Sequence, residues 1–270
     1  MTNRIAFVGA GKMVSAIVKS LLNSNLFNKE DISCCSANDG TSDTLSESTG
    51  IQKKEDIFDL LSSNPDVLVL GCKPQQINEL PNEIRQLTDR TLILSIMAGI
   101  PLSRLSESFP KARNIVRSMP NTPGQIGSGI SAFLFSQKPK DDDRSLIESI
   151  LESLGVVKEV SEELDIDRVT AISGSGPAYI FEFTCALQQA GKEIGLSDEY
   201  SNEFAKQTVI GAAKLMEQSS FNPEELRNQV TSPNGTTQAA LESLSANQFR
   251  KIISEAARAA KSRSIELSNA

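Results

Sequence analysis

A short apolar run, Ile5-Ala-Phe-Val8, ends on Gly9-Ala-Gly11 and passes at once into a helical pattern, with Met13, Ile17, Leu21 and Leu22 at 3.6-type spacing. A strand that turns on two glycines into a helix leaves few folds open. The strand signal then recurs through the first half of the chain. Residues 32–35, 67–70, 91–96, 114–117, 130–135 and 156–160 read as further strands. Val67-Leu-Val-Leu70 is apolar at every position, as strands covered on both faces are. Helical patterns fall at 56–61 and 141–154, the latter with Leu146, Ile147, Ile150, Leu151 and Leu154 on one face. Alternation of this kind predicts an α/β fold, a parallel sheet with helices on both sides.

After about Val160 the strand signals stop. Helices are expected from Pro177 to Ala190, over 198–218, over 223–229, from Gln238 to Leu244, and from Phe249 onward with Ile252, Ile253, Ala256 and Ala260 on one face. These segments are rich in small residues, among them Ala186, Ala190, Gly211, Ala212, Ala213, Ala239 and Ala240, which let helices approach closely. The chain therefore divides into residues 1–160, a Rossmann-type sheet, and residues 161–270, all helical. The Ser-rich stretch near Thr41–Thr49 reads as a local compositional bias.

Composition narrows the chemistry. The 270 residues include no His, which removes imidazole bases, Ser-His and Cys-His pairs and His-ligated metals. The four cysteines, Cys34, Cys35, Cys72 and Cys185, show no C-x-x-C spacing, so they read as free thiols and no metal site is expected. The amino-terminal apolar stretch is too short for a signal peptide, and 92–102 is too short and too broken by Gly99 and Pro101 to span a bilayer, so a cytoplasmic location is expected. Net charge is −1 up to Lys158 and −6 beyond it, without a basic stripe, and Trp is absent. That balance argues against a nucleic-acid partner.

Several loops carry the remaining signal. Gly9 suits the tight turn and Gly11 a close approach of a pyrophosphate to the helix N-terminus, although Val14 stands where Gly or Ala is usual. Ser36-Ala-Asn38 ends the second strand. Hydroxyl and amide donors there favour NADP over NAD, while Asp39 keeps NAD open. Lys73, in Gly71-Cys-Lys73-Pro74, offers a cation at the same sheet edge. Arg117-Ser-Met-Pro120-Asn-Thr-Pro123 forms a rigid loop after the fifth strand. Ser173-Gly-Ser175-Gly-Pro177 caps a helix, its glycines serving either close helix packing or a ligand. Thr231-Ser232-Pro-Asn-Gly235-Thr236-Thr237 leads into a helix and presents amides and hydroxyls to a small carboxylate, or is a plain N-cap with a turn.

With these motifs in order, FVGAGKM, CKP, SIMAGI, RSMPNTP, SGSGPAY and TSPNGTT, the chain resembles the pyrroline-5-carboxylate reductase family along nearly its whole length. The resemblance implies a Rossmann domain joined to a helical dimerisation domain, with dimers that can assemble into rings. It implies NAD(P)H-dependent reduction of 1-pyrroline-5-carboxylate to proline, with NADPH the expected donor and NADH the alternative. It places Gly9, Gly11, Lys12, Met13, Ser36, Lys73, Pro74, Met97, Ala98 and Asn121 at the cofactor. Ser232, Gly235, Thr236, Thr237 and Glu163 fall at the substrate, with Thr237 near the ring nitrogen as the catalytic hydroxyl. Departures are Val14, Met97 in place of Ala, Asn234 in place of Gly, and Lys53 in place of Asn. The competing expectations are another imine or hydroxyacid reductase of similar architecture, and a non-catalytic dinucleotide-binding homologue.

Overall fold

The structure, a computed structural model, describes residues 3–37 and 39–268, except for the side chain of Arg85. Eight strands form one sheet: β1 (Ile5–Val8), β2 (Ile32–Cys35), β3 (Gln52–Lys53), β4 (Val67–Leu70), β5 (Leu92–Ser95), β6 (Asn114–Met119), β7 (Gly129–Phe135) and β8 (Gly155–Glu159). Their spatial order is β3-β2-β1-β4-β5-β6-β7-β8. The first six repeat the 3-2-1-4-5-6 order of two mononucleotide-binding halves, with the switch point between β1 and β4.

Alternate residues along the strands feed two cores. Ile5, Phe7, Val67 and Val69 face Val14, Ile17 and Leu21 of α1 (Lys12–Asn23) and Ile147, Ile150 and Leu151 of α5 (Asp141–Glu152). Ala6, Val8, Leu68 and Leu70 face Leu60 and Leu61 of α3 (Ile57–Ser62) and Leu105 of α4 (Leu102–Ser108). The expected helices on both faces are therefore present. One detail differs from a wholly parallel sheet: β7 runs antiparallel to β6, while β8 is parallel to β7. The segment 120–128 is too short to carry a crossover helix, so the chain turns back beside β6.

The Ser-rich stretch is a helix, α2 (Thr41–Thr49), closed at both ends by Gly40 and Gly50 in the left-handed region (φ 74° and 75°) and anchored by buried Leu45. The carboxy-terminal helices are α6 (Glu163–Val169), α7 (Gly176–Glu193), α8 (Asp198–Gln218), α9 (Pro223–Gln229), α10 (Thr236–Ala246) and α11 (Phe249–Ser268), with a π-helical turn at Thr170–Gly174. No helix among the described residues is long and apolar enough to cross a membrane.

The chain forms two compact units, Met1–Ser175 with Ala260–Ala270, and Gly176–Ala259. The division expected at 160/161 falls inside the first of these units, between β8 and α6. α6 belongs with the sheet because Arg117 of β6 pairs with Glu163 and Asp167, and the end of α11 returns to the same unit because Ser264 hydrogen-bonds Asp167. Within the second unit, only Gly191, Ser201 and Ala205 are buried among the described residues. Phe181, Phe204, Ile252 and other large apolar side chains there stay exposed.

Candidate active site

Gly9 leaves β1 at φ +95°, and a Cβ on it would stand 2.7 Å from Cys72 N and 2.8 Å from the Gly71 carbonyl group. Backbone cannot yield there, so the turn requires glycine. Gly11 caps α1 with no side-chain cap, and a Cβ on it would meet nothing within 4 Å. No acidic residue lies in the first turn of α1. The result is a set of open amides at the positive end of a helix, a cradle shaped for a phosphate. The third position is solved from the other side: Val14, 1% exposed, packs against Gly71, whose missing side chain leaves the room.

Gly9, Gly11, Ser36 and Lys73 line one cavity of about 420 Å³, together with Cys35, Cys72 and Asp39. Lys12 lines an adjoining cavity of about 610 Å³ on the α1–α2 side, where Asp39 and Thr41 also appear. Burial pushes the thiols up, Cys35 to about 12 and Cys72 to about 11, so both stay protonated at neutral pH. Met97, almost wholly buried, brings its sulfur to 3.7 Å from Cys72 Sγ and lies in the core behind the cavity. Met13 likewise packs its side chain against the core. Lys73 is held at the start of a 3-10 turn opened by Pro74, its N–H donating to Gln76 Oε1 at 2.9 Å.

The loop after β2 has a feature the sequence did not reveal. Asp39 Oδ1 accepts from Thr41 Oγ1 at 2.7 Å, Thr41 N–H at 3.0 Å and Ser36 Oγ at 3.2 Å. The Thr41 bonds first, and then that of Ser36, hold its carboxyl below the usual range. Ser36 is thereby a member of the turn, also bonded to Ser42 Oγ at 2.9 Å. Asn38 lies outside the described residues.

Asn121 does not point an idle amide at a cleft. Its Nδ2 donates to Ser173 O at 3.1 Å and its Oδ1 accepts from Ile130 N–H at 2.9 Å, which ties the Pro120–Pro123 loop to the π turn and to β7. Glu163 is similarly engaged, with Oε1 accepting from Leu102 N–H at 2.7 Å and Arg117 Nη1 at 2.9 Å. The partners of Arg117, a fully buried cation inside a strand, are the main element that residue patterns left unseen. A lone Arg in an apolar strand demands a buried carboxylate, and that demand was the available signal.

In the helical unit, Gly235 N–H donates to Ser232 O at 3.0 Å and Asn234 takes φ 57°, a conformation Asn tolerates. A Cβ on Gly235 would stand 2.5 Å from Ser232 Oγ. Gly235 caps α10 without a side-chain bond, and no acid lies in the first turn. Thr236 and Thr237 thus open a helix whose leading amides are free of caps, next to the Ser232 hydroxyl.

A parallel sheet with a switch-point phosphate cradle, followed by a helical unit that buries little of itself, defines a Rossmann-type protein with a carboxy-terminal helical association domain. Residues 163–267 match the family model for pyrroline-5-carboxylate reductase dimerisation, and residues 4–99 match that of the coenzyme F420-dependent NADP oxidoreductases. The chain is 36% identical to the pyrroline-5-carboxylate reductase of Pseudomonas aeruginosa over 98% of its own length and 97% of the relative's. Among solved structures it is similar to that of Coxiella burnetii (TM-score 0.89, 35% identity, 99% of each chain). It is also similar to the Plasmodium falciparum pyrroline carboxylate reductase with NADP bound (TM-score 0.86, 30% identity, 99% of each chain). The chain belongs to the pyrroline-5-carboxylate reductase family.

Proposed function

We propose that the protein reduces 1-pyrroline-5-carboxylate to L-proline with NADPH, the last step of proline biosynthesis. The observation that carries this is the uncapped amide cradle at Gly9–Gly11, on a chain of this family whose helical unit has a second uncapped helix start at Gly235. NADPH, when bound, supplies the hydride. Gly11, Lys12 and Met13 hold its pyrophosphate, with Gly9 fixing the turn beneath. Ser36 serves the adenosine ribose. Lys73 and Pro74 shape the loop beside the switch point, and Met97, Ala98 and Asn121 border the nicotinamide half.

In this reading the amides of Thr236 and Thr237, with Gly235 and the Ser232 hydroxyl, take the substrate carboxylate. Helix starts favour anions even without a basic side chain. The Thr237 hydroxyl hydrogen-bonds the ring nitrogen and orients the imine carbon. The residues' task is to align two reacting carbons and exclude water, which needs no imidazole. The reaction occurs in the cytoplasm, in a dimer through Gly176–Ala259 that can build into a ring of dimers. The near absence of buried residues in that unit supports the dimer.

The test is oxidation of NADPH by the purified protein on addition of 1-pyrroline-5-carboxylate, with proline identified as product. A protein that binds NADPH but leaves the imine unreduced overturns the proposal.

A further inference from the structure

Glu163 sits where two loops meet. Leu102, whose N–H it accepts, ends the loop after β5 that carries Met97 and Ala98. Arg117, whose Nη1 it also accepts, lies in β6, which runs on into the Pro120–Pro123 loop. One turn further along α6, Asp167 Oδ1 accepts from Arg117 Nη2 at 2.8 Å and from Ser264 Oγ at 2.7 Å. Arg117, Asp167 and Ser264 are 1%, 6% and 2% exposed, so this part of the network is sealed from water, while the Glu163 side chain at its rim is 35% exposed.

The end of α11 reaches the first loop directly. Gly99 has φ +75°, and a Cβ on it would stand 2.7 Å from Leu267 Cβ and 3.3 Å from Ser264 O. The second loop has its own brace in Asn121. In a 3-2-1-4-5-6 sheet the carboxyl ends of β4, β5 and β6 receive the second mononucleotide of a dinucleotide. Both loops lie at that edge.

We infer that Glu163, backed by Asp167 and Ser264, is a positioning residue that sets the two loops receiving the nicotinamide half, in place of the substrate contact expected for it. The inference rests on the reductase reading above. Its carboxylate oxygen acts as a joint between Leu102 and Arg117, so the last turns of α11 hold the loop after β5 from behind.

The test compares Glu163→Ala, Glu163→Gln and Ser264→Ala with the unaltered protein. The Gln variant keeps an acceptor oxygen for Leu102 and Arg117. Glu163→Ala is expected to lower kcat on the order of tenfold to a hundredfold, as a misplaced reacting group does. KM for the imine and the affinity for 2′,5′-ADP are expected to stay within about threefold of their starting values. Emission of bound nicotinamide should move toward that of free NADPH in Glu163→Ala and stay put in Glu163→Gln, which keeps most of kcat. Ser264→Ala should show the same pattern with smaller amplitude, and it carries the test if Glu163→Ala fails to fold.

A Gln variant as damaged as Ala, with KM for the imine raised, would mean direct substrate contact and overturn the inference. So would Ala variants indistinguishable from the unaltered protein in kcat and emission. If the unaltered protein binds NADPH but does not reduce the imine, the reductase reading fails, while nicotinamide emission still decides the positioning role. If it binds neither NADPH nor 2′,5′-ADP, both fall.

Discussion

Val14 Cγ2 occupies the space in which a Cβ on Gly71 would stand. The pair lets α1 close on the sheet with a Val at a position usually given to a smaller residue. Gly71→Ala is therefore expected to cost about 1–3 kcal/mol through overpacking. Val14→Ala in the same chain should recover part of that loss, because the two sites share one space. Urea unfolding of both single variants and the double variant measures the coupling.

Arg117 is a buried guanidinium between two carboxylates. Arg117→Met leaves Glu163 and Asp167 without their cation, and breaking a buried pair on one side costs about 3–5 kcal/mol. The denaturation midpoint should fall accordingly. Removing the charges on all three together should cost less than the single change.

Asp39 stays ionised throughout the ordinary assay range, because the Thr41 and Ser36 bonds depress its pKa. A carboxylate at the end of β2 favours a ribose hydroxyl and opposes a 2′-phosphate. Asp39→Asn should tighten NADPH binding, weaken NADH binding, and so swing their affinity ratio by roughly tenfold, the size of a lost charge contact. Direct titration with each nucleotide reads the ratio.

Thr237→Ala should reduce kcat/KM by about tenfold, corresponding to one hydrogen bond of about 1–2 kcal/mol. Steady-state kinetics with the imine provides the check.

Cys34, Cys35 and Cys72 are raised by burial to about 11, 12 and 11 from 9.0. For an acid raised in the folded state the protonated form is favoured. Its contribution is complete below pH 9 and is lost as pH climbs through 11 to 12. Stability measured against pH should therefore decline above 9, and less steeply in Cys35→Ala. At pH 8, iodoacetamide should leave buried Cys34 and Cys35 unlabelled in the folded protein.

Much of this molecule is written in its residue patterns, and what escaped them has physical reasons. The bounds of α8 and α9 match those expected; periodicity marks α8, whereas α9 is a short polar helix marked by Pro223 and the Asn222–Glu225 capping box. β3 is two exposed residues, and no apolar alternation marks it. α2 is polar on most of its surface and is defined by its end glycines and Leu45. The reversal at β7 is a matter of connection length, which periodicity does not report. At the site, Gly9 and the Gly235 turn were legible because glycine and turn chemistry are local. The partners of Arg117, Asn121 and Glu163 lie about fifty residues away or more along the chain for most of their bonds, so only the folded backbone could supply them.

The helical unit is embedded between two stretches of one body, since the chain leaves the sheet at Ser175 and comes back to it at Ala260. Cutting after Ser175 would strip Ser264 from Asp167 and Leu267 from Gly99, exposing a polar network and an apolar face together. An amino-terminal fragment ought then to be less stable than its own sheet suggests, and adding residues 260–268 as a free peptide should raise its melting temperature.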